Sequence, residues 1–423
     1  MALKKNIIVI LLAIFCICSV SVNAQHTDLV DSSQTQVLAN TTSNYAVPDM
    51  KRTHKSWSEF HTKWFSAQLG FAPIIDYNLF VQDNDSKTQV GEQKNQFDLR
   101  SGRFSVRGKL LFKKPWGYFV SAEYKGIDRS PDDKPFGFTD IKLVIPVIKN
   151  WNLTVGKIKE TFIFEMVGDA ANLPSQERIL NPFFNSRNIG MTMGRTMLKD
   201  RMTFTTGWFN NWFVDGQNFN ESANTFTTRL TALPIYENNG KRFVHLGLGY
   251  RYLEAENGVL RLKGRNESNV SSNYVDTKDF AGSHLQNFSF EQVWSLENFS
   301  ILNEYVHSWA KTPTGTEQFS GYYITGSYIL SGEQRPYDKK AGYTRRVKPD
   351  GKGGAWELVF RASKLDLTTR TIEGGILTKF SLGLNWWATQ YWKTGISYGV
   401  SNLDKKGITG VTNSLQFRIQ WIY

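Results

Sequence analysis

A chain of 423 residues with 50 Lys and Arg against 38 Asp and Glu carries a formal net charge of +12, and 14% of it is aromatic. Both cysteines fall within the first 18 residues, so the remainder has no disulfide framework and no cysteine-based metal site. After that start no apolar run approaches the ~18–20 residues of a transmembrane helix, which excludes a helical membrane bundle.

The opening reads as an export signal. Lys4 and Lys5 supply the charged start, Ile7 to Cys18 the apolar stretch, and Val22-Asn23-Ala24 a small-residue cleavage site before Gln25. Cleavage removes both cysteines and takes the net charge from +12 to +10. A lipoprotein reading of Cys16 or Cys18 is weak, because Phe15 and Ile17 stand where a small residue is needed. The positive balance leaves nucleic acid, an acidic surface or an anionic solute as partners, and export argues against nucleic acid. The domain expectation is a signal peptide over 1–24, a flexible polar periplasmic segment over 25–58 and a single β-barrel over 59–423.

From Trp64 onward, segments with a period of two recur between turn residues. The clearest are Arg103–Phe112, Trp116–Lys125, Ile141–Pro146, Trp151–Lys157, Met202–Asn210, Thr225–Leu233, Phe243–Tyr252, Phe288–Leu296, Phe299–Trp309, Tyr322–Leu330, Trp356–Lys364, Ile376–Trp387 and Trp392–Ser401. Phe104, Val106, Leu110 and Phe112 oppose Arg103, Ser105, Arg107 and Lys109. The final strand sets Leu415, Phe417, Ile419, Trp421 and Tyr423 against Ser414, Gln416, Arg418 and Gln420. A soluble sandwich would need a second apolar layer to cover such faces. In an outer-membrane barrel they meet lipid, the polar faces line the lumen, and the last strand closes on the first.

Lys113–Gly117, Val147–Asn150 and Thr389–Tyr391 read as tight turns, whereas Asn84–Asn95, Asp215–Asn224, Asn266–Ser283 and Ser331–Gly353 are long and polar. Short turns at one rim and long loops at the other are expected of an outer-membrane barrel. Adding Trp64–Val81, Asn188–Thr196 and Gly258–Arg265 gives seventeen candidate strands. Bacterial single-chain barrels have an even number, so one is surplus. The short, basic Gly258–Arg265 is the weakest and reads as a loop segment lining the lumen. Trp294, Trp309, Trp386, Trp392 and Trp421 fit interfacial girdles.

The chain resembles the phosphate-selective porin O and P family from about Trp64 to Tyr423. The resemblance is carried by LRSGRFSVRGKLLF, VGKIKETF, ERILNPFFNSRNIGMTMG, GYYITGSYILSGEQRPYDKKAGYTRRVKP, GAWELVFRASKLDL and LGLNWW. It implies a bacterial outer-membrane, trimeric porin of about sixteen strands, with an inward-folded constriction loop and basic residues conducting phosphate, polyphosphate or other small anions. No cofactor is implied.

Three constellations are candidates for handling anions. Arg261, Lys263 and Arg265 share one face of an extended segment, each ~6.6–6.8 Å beyond the last. That is within the ~8 Å screening length at physiological salt, so an anion could pass between them without a deep barrier. The family's basic ladder occupies this stretch, with Lys263 where an arginine is usual. The competing reading is a solvated, charge-rich strand end. Arg100, Arg103, Arg107 and Lys109 form the second cluster. There the family places two adjacent arginines; Arg100 matches the first and Ser101 replaces the second. The third, Lys157 to Arg178, contains Lys159, Glu160, Glu165, Asp169, Glu177 and Arg178. Ala171 stands where phosphate-selective members carry a lysine, so these departures favour anion preference over strict phosphate specificity. Arg251, Arg361, Lys379, Lys393 and Arg418 point inward by alternation. They are expected to pair with wall carboxylates such as Glu291, Glu304 or Glu357.

An enzyme is the disfavoured class. From Trp64 on the histidines are His245, His284 and His307, without a GxSxG or HExxH motif. A general porin and a non-transporting structural or adhesive barrel stand as alternatives.

Overall fold

The computed structural model describes residues 57–124, 136–210 and 222–423. The export signal, nearly all of the 25–58 segment and most of Asp215–Asn224 lie outside the described residues. The alternation does build a wall of antiparallel strands. In chain order they are β1 (Phe65–Gln82), β2 (Gln96–Leu110), β3 (Trp116–Tyr124), β4 (Phe136–Ile148), β5 (Trp151–Ile158), β6 (Asn188–Met197), β7 (Met202–Asn210) and β8 (Ser222–Glu237). β9 (Arg242–Ala255), β10 (His284–Leu296), β11 (Phe299–Thr312), β12 (Gly315–Ile329), β13 (Ala355–Thr368), β14 (Glu373–Trp387), β15 (Trp392–Lys405) and β16 (Ile408–Trp421) complete it.

Each strand pairs with its sequence neighbours, and β16 returns to β1 in register from Ile74 opposite Gln420 to Gln82 opposite Thr412. The barrel is therefore closed at sixteen strands; the sheet's seventeenth, Glu59–His61, pairs only with β1. Closure leaves no unpaired backbone edge in the bilayer. Phe104, Trp294, Phe380, Leu382 and Ile419 are exposed on the outside, as lipid contact requires. At one end of the wall Trp356 stacks on Trp386 and Trp392 on Trp421, each at 5.7 Å.

The surplus strand was Gly258–Arg265. Val259–Leu260 pairs with Phe280–Ala281, and Lys263–Arg265 with Asn273–Asp276, in two small ladders separate from the wall. The segment lies inside because Leu262 and Gly264 pack inward, the latter against Leu365, Pro182 and Val275. The rims differ from expectation at three places. Following strand direction, the connection between β12 and β13, which contains Ser331–Gly353, belongs to the rim of short turns. Conversely, β11–β12 and β15–β16 are joined by two residues each at the long-loop rim. Length alone could not assign this loop to a side.

Three segments fill much of the lumen: 159–187 and 256–283 from the long-loop rim, and 330–354 from the other. Phe162, Ile163, Phe164, Met166, Val167, Leu180 and Phe183 form a core with Leu253, Leu285, Val306, Phe319, Tyr323, Tyr343 and Leu365. That core occupies the β9–β13 side. The open passage is displaced toward β1–β6.

Candidate functional site

Two β-bulges aim side chains into this passage. Between Ile74 and Ile75 the register of β2 slips, so that Arg100 is the extra residue and both Arg100 and Ser101 are buried on the lumen side. A second slip, opposite Ser121 and Ala122, turns Thr139 and Asp140 inward together. A bulge breaks strict alternation locally and so can present two consecutive residues to one face.

Segment 159–187 is held across the lumen by charge and by backbone groups. The N–H groups of Phe164 and Glu165 donate to Glu304 on β11, at 2.7 and 3.1 Å. Arg361 on β13 binds Glu165 at 2.7 Å and Glu267 at 2.6 Å. Arg251 on β9 binds Glu160 at 2.6 Å. Arg100 and Arg418 converge on Glu177 at 2.6 and 2.7 Å, with Arg418 also on Asp76. The two cationic partners overcome the burial that favours the neutral acid and hold the Glu177 carboxyl at about 2. Lys379 donates to the Asn266 carbonyl and Lys393 to that of Leu173, at 2.9 and 3.1 Å. The inward wall cations are thus paired: Arg418 with the wall carboxylate Asp76 as well as with Glu177, the others with loop groups rather than with Glu291, Glu304 or Glu357. Those wall carboxylates take Arg229, backbone N–H groups and Arg335 instead.

The remaining opening has a cavity volume of about 100 Å³ and is lined by eight Lys and Arg side chains against three carboxylates. Each carboxylate is taken: Glu123 by Arg103 at 3.0 Å, Asp140 by Arg187 at 3.2 Å, and Asp169 by Lys159 at 2.8 Å. Ser101 also donates to Glu123. Burial pulls the Lys159 ammonium down to about 8; Asp169 resists the fall and Arg187 assists it. Asp169 is held at about 2, Lys159 outweighing burial. Three lining cations have no carboxylate within ion-pairing distance among the described residues: Arg178, which is taken up by backbone carbonyls, Lys142 on β4 and Arg346 on segment 330–354. Lys142 lies 5.2 Å from the Phe119 ring centre, and Arg346 has a buried Nη1 without a hydrogen-bond partner. Burial brings Arg346 down to about 10, Asp169 opposing and Arg345 assisting.

The expected site residues divide. Arg261 and Lys263 are exposed and Arg265 half-buried on one face, with Leu260, Leu262 and Gly264 buried on the other. Arg261 is paired with Asp276 at 2.7 Å and Arg265 donates to the Asn269 carbonyl. Lys263 is without such a partner among the described residues. Hydrogen bonds from Arg261 and Lys278 overcome burial and hold Asp276 well below the usual carboxylate range. Arg103 and Arg107 face the opening; Arg107 donates to Gln68 at 2.6 Å. Half-buried Lys109 lies below them on the same strand face, at the short-turn end. Arg100 is buried against Glu177. Arg178 is buried and donates to the carbonyls of Glu165 and Gly168, which makes it a brace within its own loop. Lys142, Arg187 and Arg346 were not singled out in the sequence. For Lys142 a signal existed: it alternates with Ile141 and Leu143.

The sequence model of the phosphate-selective porin O and P family matches residues 72–423. Porin O of Pseudomonas aeruginosa is 22% identical over 379 residues, covering 81% of this chain and 84% of that protein. Among solved structures, the anion-selective porin from Comamonas acidovorans aligns with a TM-score of 0.53 at 9% identity, over 85% of this chain and 100% of the other. In-vitro folded OmpT, an outer membrane protein of Vibrio cholerae, aligns with a TM-score of 0.54 at 9% identity, over 86% and 99%. Its trimer form gives 0.51 at 11% identity, over 84% and 99%.

Proposed function

The chain belongs to the phosphate-selective porin O and P family and is an outer-membrane porin, and on that premise we propose that it conducts small anions, phosphate and short polyphosphates among them. The observation carrying this reading is the lining of the opening: every carboxylate there is neutralised by a cation, while Lys142 and Arg346 are left over. An unpaired charge ~4 Å from an anion contributes about 4 kcal/mol at an effective dielectric near 20. That is enough to offset partial dehydration without trapping the ion. A phosphate also accepts paired hydrogen bonds from a guanidinium, which chloride cannot match in shape.

Anions entering from outside meet Arg261, Lys263 and Arg265, then the opening, then Arg107 and Lys109 toward the short-turn rim. Arg100 and Arg178, both committed to protein acceptors, act on the route through their field rather than by contact. Ser101 in place of a second arginine, and Ala171 in place of a loop lysine, weaken phosphate relative to chloride. The functional unit is a homotrimer in this reading, consistent with the trimer form of the structurally similar OmpT.

Reversal potentials in a potassium chloride gradient across planar bilayers test it. Lys142→Met with Arg346→Met lowers the chloride-over-potassium permeability ratio by at least about tenfold, and Arg261→Ala with Lys263→Ala lowers it less. A wild-type pore that prefers potassium, or a double variant with unchanged potentials, refutes the reading.

A further inference from the structure

At the short-turn rim, four stations repeat one pattern: a lysine directly beside an apolar side chain that points out of the protein. Lys63 precedes Trp64, Phe112 precedes Lys113 and Lys114, Ile148 precedes Lys149, and Leu198 precedes Lys199. The four apolar residues are 70%, 55%, 66% and 68% exposed, among the most exposed large apolar side chains of the chain. All five lysines are exposed. None has a carboxylate within ion-pairing distance among the described residues, and Asp200 is the single carboxylate within the segments 63–65, 111–116, 147–151 and 197–201. Lys63 holds its ammonium 5.1 Å from the Trp64 ring centre.

From this we propose that the rim from β1 to β7 is a binding surface for anionic phospholipid headgroups of the periplasmic leaflet. The apolar residue enters the acyl region just below the tryptophan-rich end of the wall, and the neighbouring lysine reaches the headgroup phosphate. The short-turn rim of such barrels faces the periplasm. Two features favour lipid over an acidic protein partner. The apolar tips are single and separated, each on its own turn, so they offer no contiguous patch to a folded surface. The stations are also spread along about half the circumference, as lipids are. The long-loop rim differs: its 83–95 connection mixes Asp83, Asp85 and Glu92 with Lys87 and Lys94.

Electron paramagnetic resonance of trace spin-labelled lipids around the full-length protein, reconstituted in phosphatidylcholine, tests the proposal. A lysine near a headgroup favours an anionic lipid by about fivefold. With stations on half of one leaflet's annulus, roughly a quarter of the contact sites gain this preference. The averaged association constant for phosphatidylglycerol over phosphatidylcholine is then about twofold. Replacing Lys63, Lys113, Lys114, Lys149 and Lys199 by Gln brings the ratio to one, as does about 1 M salt for the wild type. Lys87→Gln with Lys94→Gln leaves it unchanged. A wild-type ratio of one at low salt overturns the proposal, and so does a ratio that survives the five substitutions or high salt. If the fivefold variant fails to refold, the wild-type salt series and Lys113→Gln with Lys114→Gln decide the matter. Loss of a co-purifying acidic protein from the lysine variant, with a lipid ratio of one throughout, assigns the surface to that partner and refutes lipid.

Discussion

Raising the pH should cost the pore part of its anion preference through Lys159. This ammonium lies 2.8 Å from Asp169 on the segment that narrows the lumen, and it titrates at about 8. It is about 97% charged at pH 6.5 and about 10% charged at pH 9. Over the same interval Asp169, at about 2, keeps its charge, and Arg346, at about 10, keeps most of its own. The pair therefore changes from neutral to singly negative as pH rises. For an anion ~8 Å away at an effective dielectric of about 40, that change is worth about 1 kcal/mol, or a roughly fivefold fall in the chloride-over-potassium permeability ratio. Bilayer reversal potentials at pH 6.5 and 9 measure it directly. Lys159→Met should show the high-pH ratio at both values, because Asp169 is then unpaired throughout. A wild-type ratio that stays flat, or a Lys159→Met pore that keeps the step, refutes the reasoning.

Two further outcomes follow from how the inner segments are held. Arg361→Ala strands the buried Glu165 carboxylate, leaves Glu267 only Lys379 at 3.9 Å, and should destabilise the folded barrel by about 3–5 kcal/mol, read as a lower temperature for loss of the compact, heat-modifiable form. Asp169 and Glu177 both sit at about 2, below their ordinary values near 4. Their stabilisation of segment 159–187 is fully present above about pH 4 and is lost as pH falls toward 2. Single-channel conductance should be steady from pH 5 to 7 on their account and become irregular below about pH 3; steady openings at pH 2 count against that anchoring.

Periodicity made the wall legible, because lipid outside and water inside impose a strict period of two on every strand. The same rule picked out Arg103, Arg107 and Lys109 as inward-facing, and it oriented Arg261, Lys263 and Arg265 on one face. It failed wherever the chain left that period. The bulges at Arg100 and Asp140 present consecutive residues to the lumen, which alternation forbids. Arg346 lies on a connection with no period at all, so neither its rim nor its path could be read. The inward arginines were identifiable as paired, yet their partners Glu160, Glu165, Glu177 and Glu267 lie on segments far away in sequence. Pairing across the lumen depends on closure, which no local pattern encodes.

The opening is framed by chain arriving from both sides of the membrane: 159–187 from without, 330–354 from within. The first segment lines it with Asp169 to Asn172, Arg178 and Arg187, and the second contributes the charge of Arg346, with no covalent hinge in common. Diameter and charge can thus be altered separately, so substitutions near Arg346 could change which solutes are favoured without changing how large a solute fits.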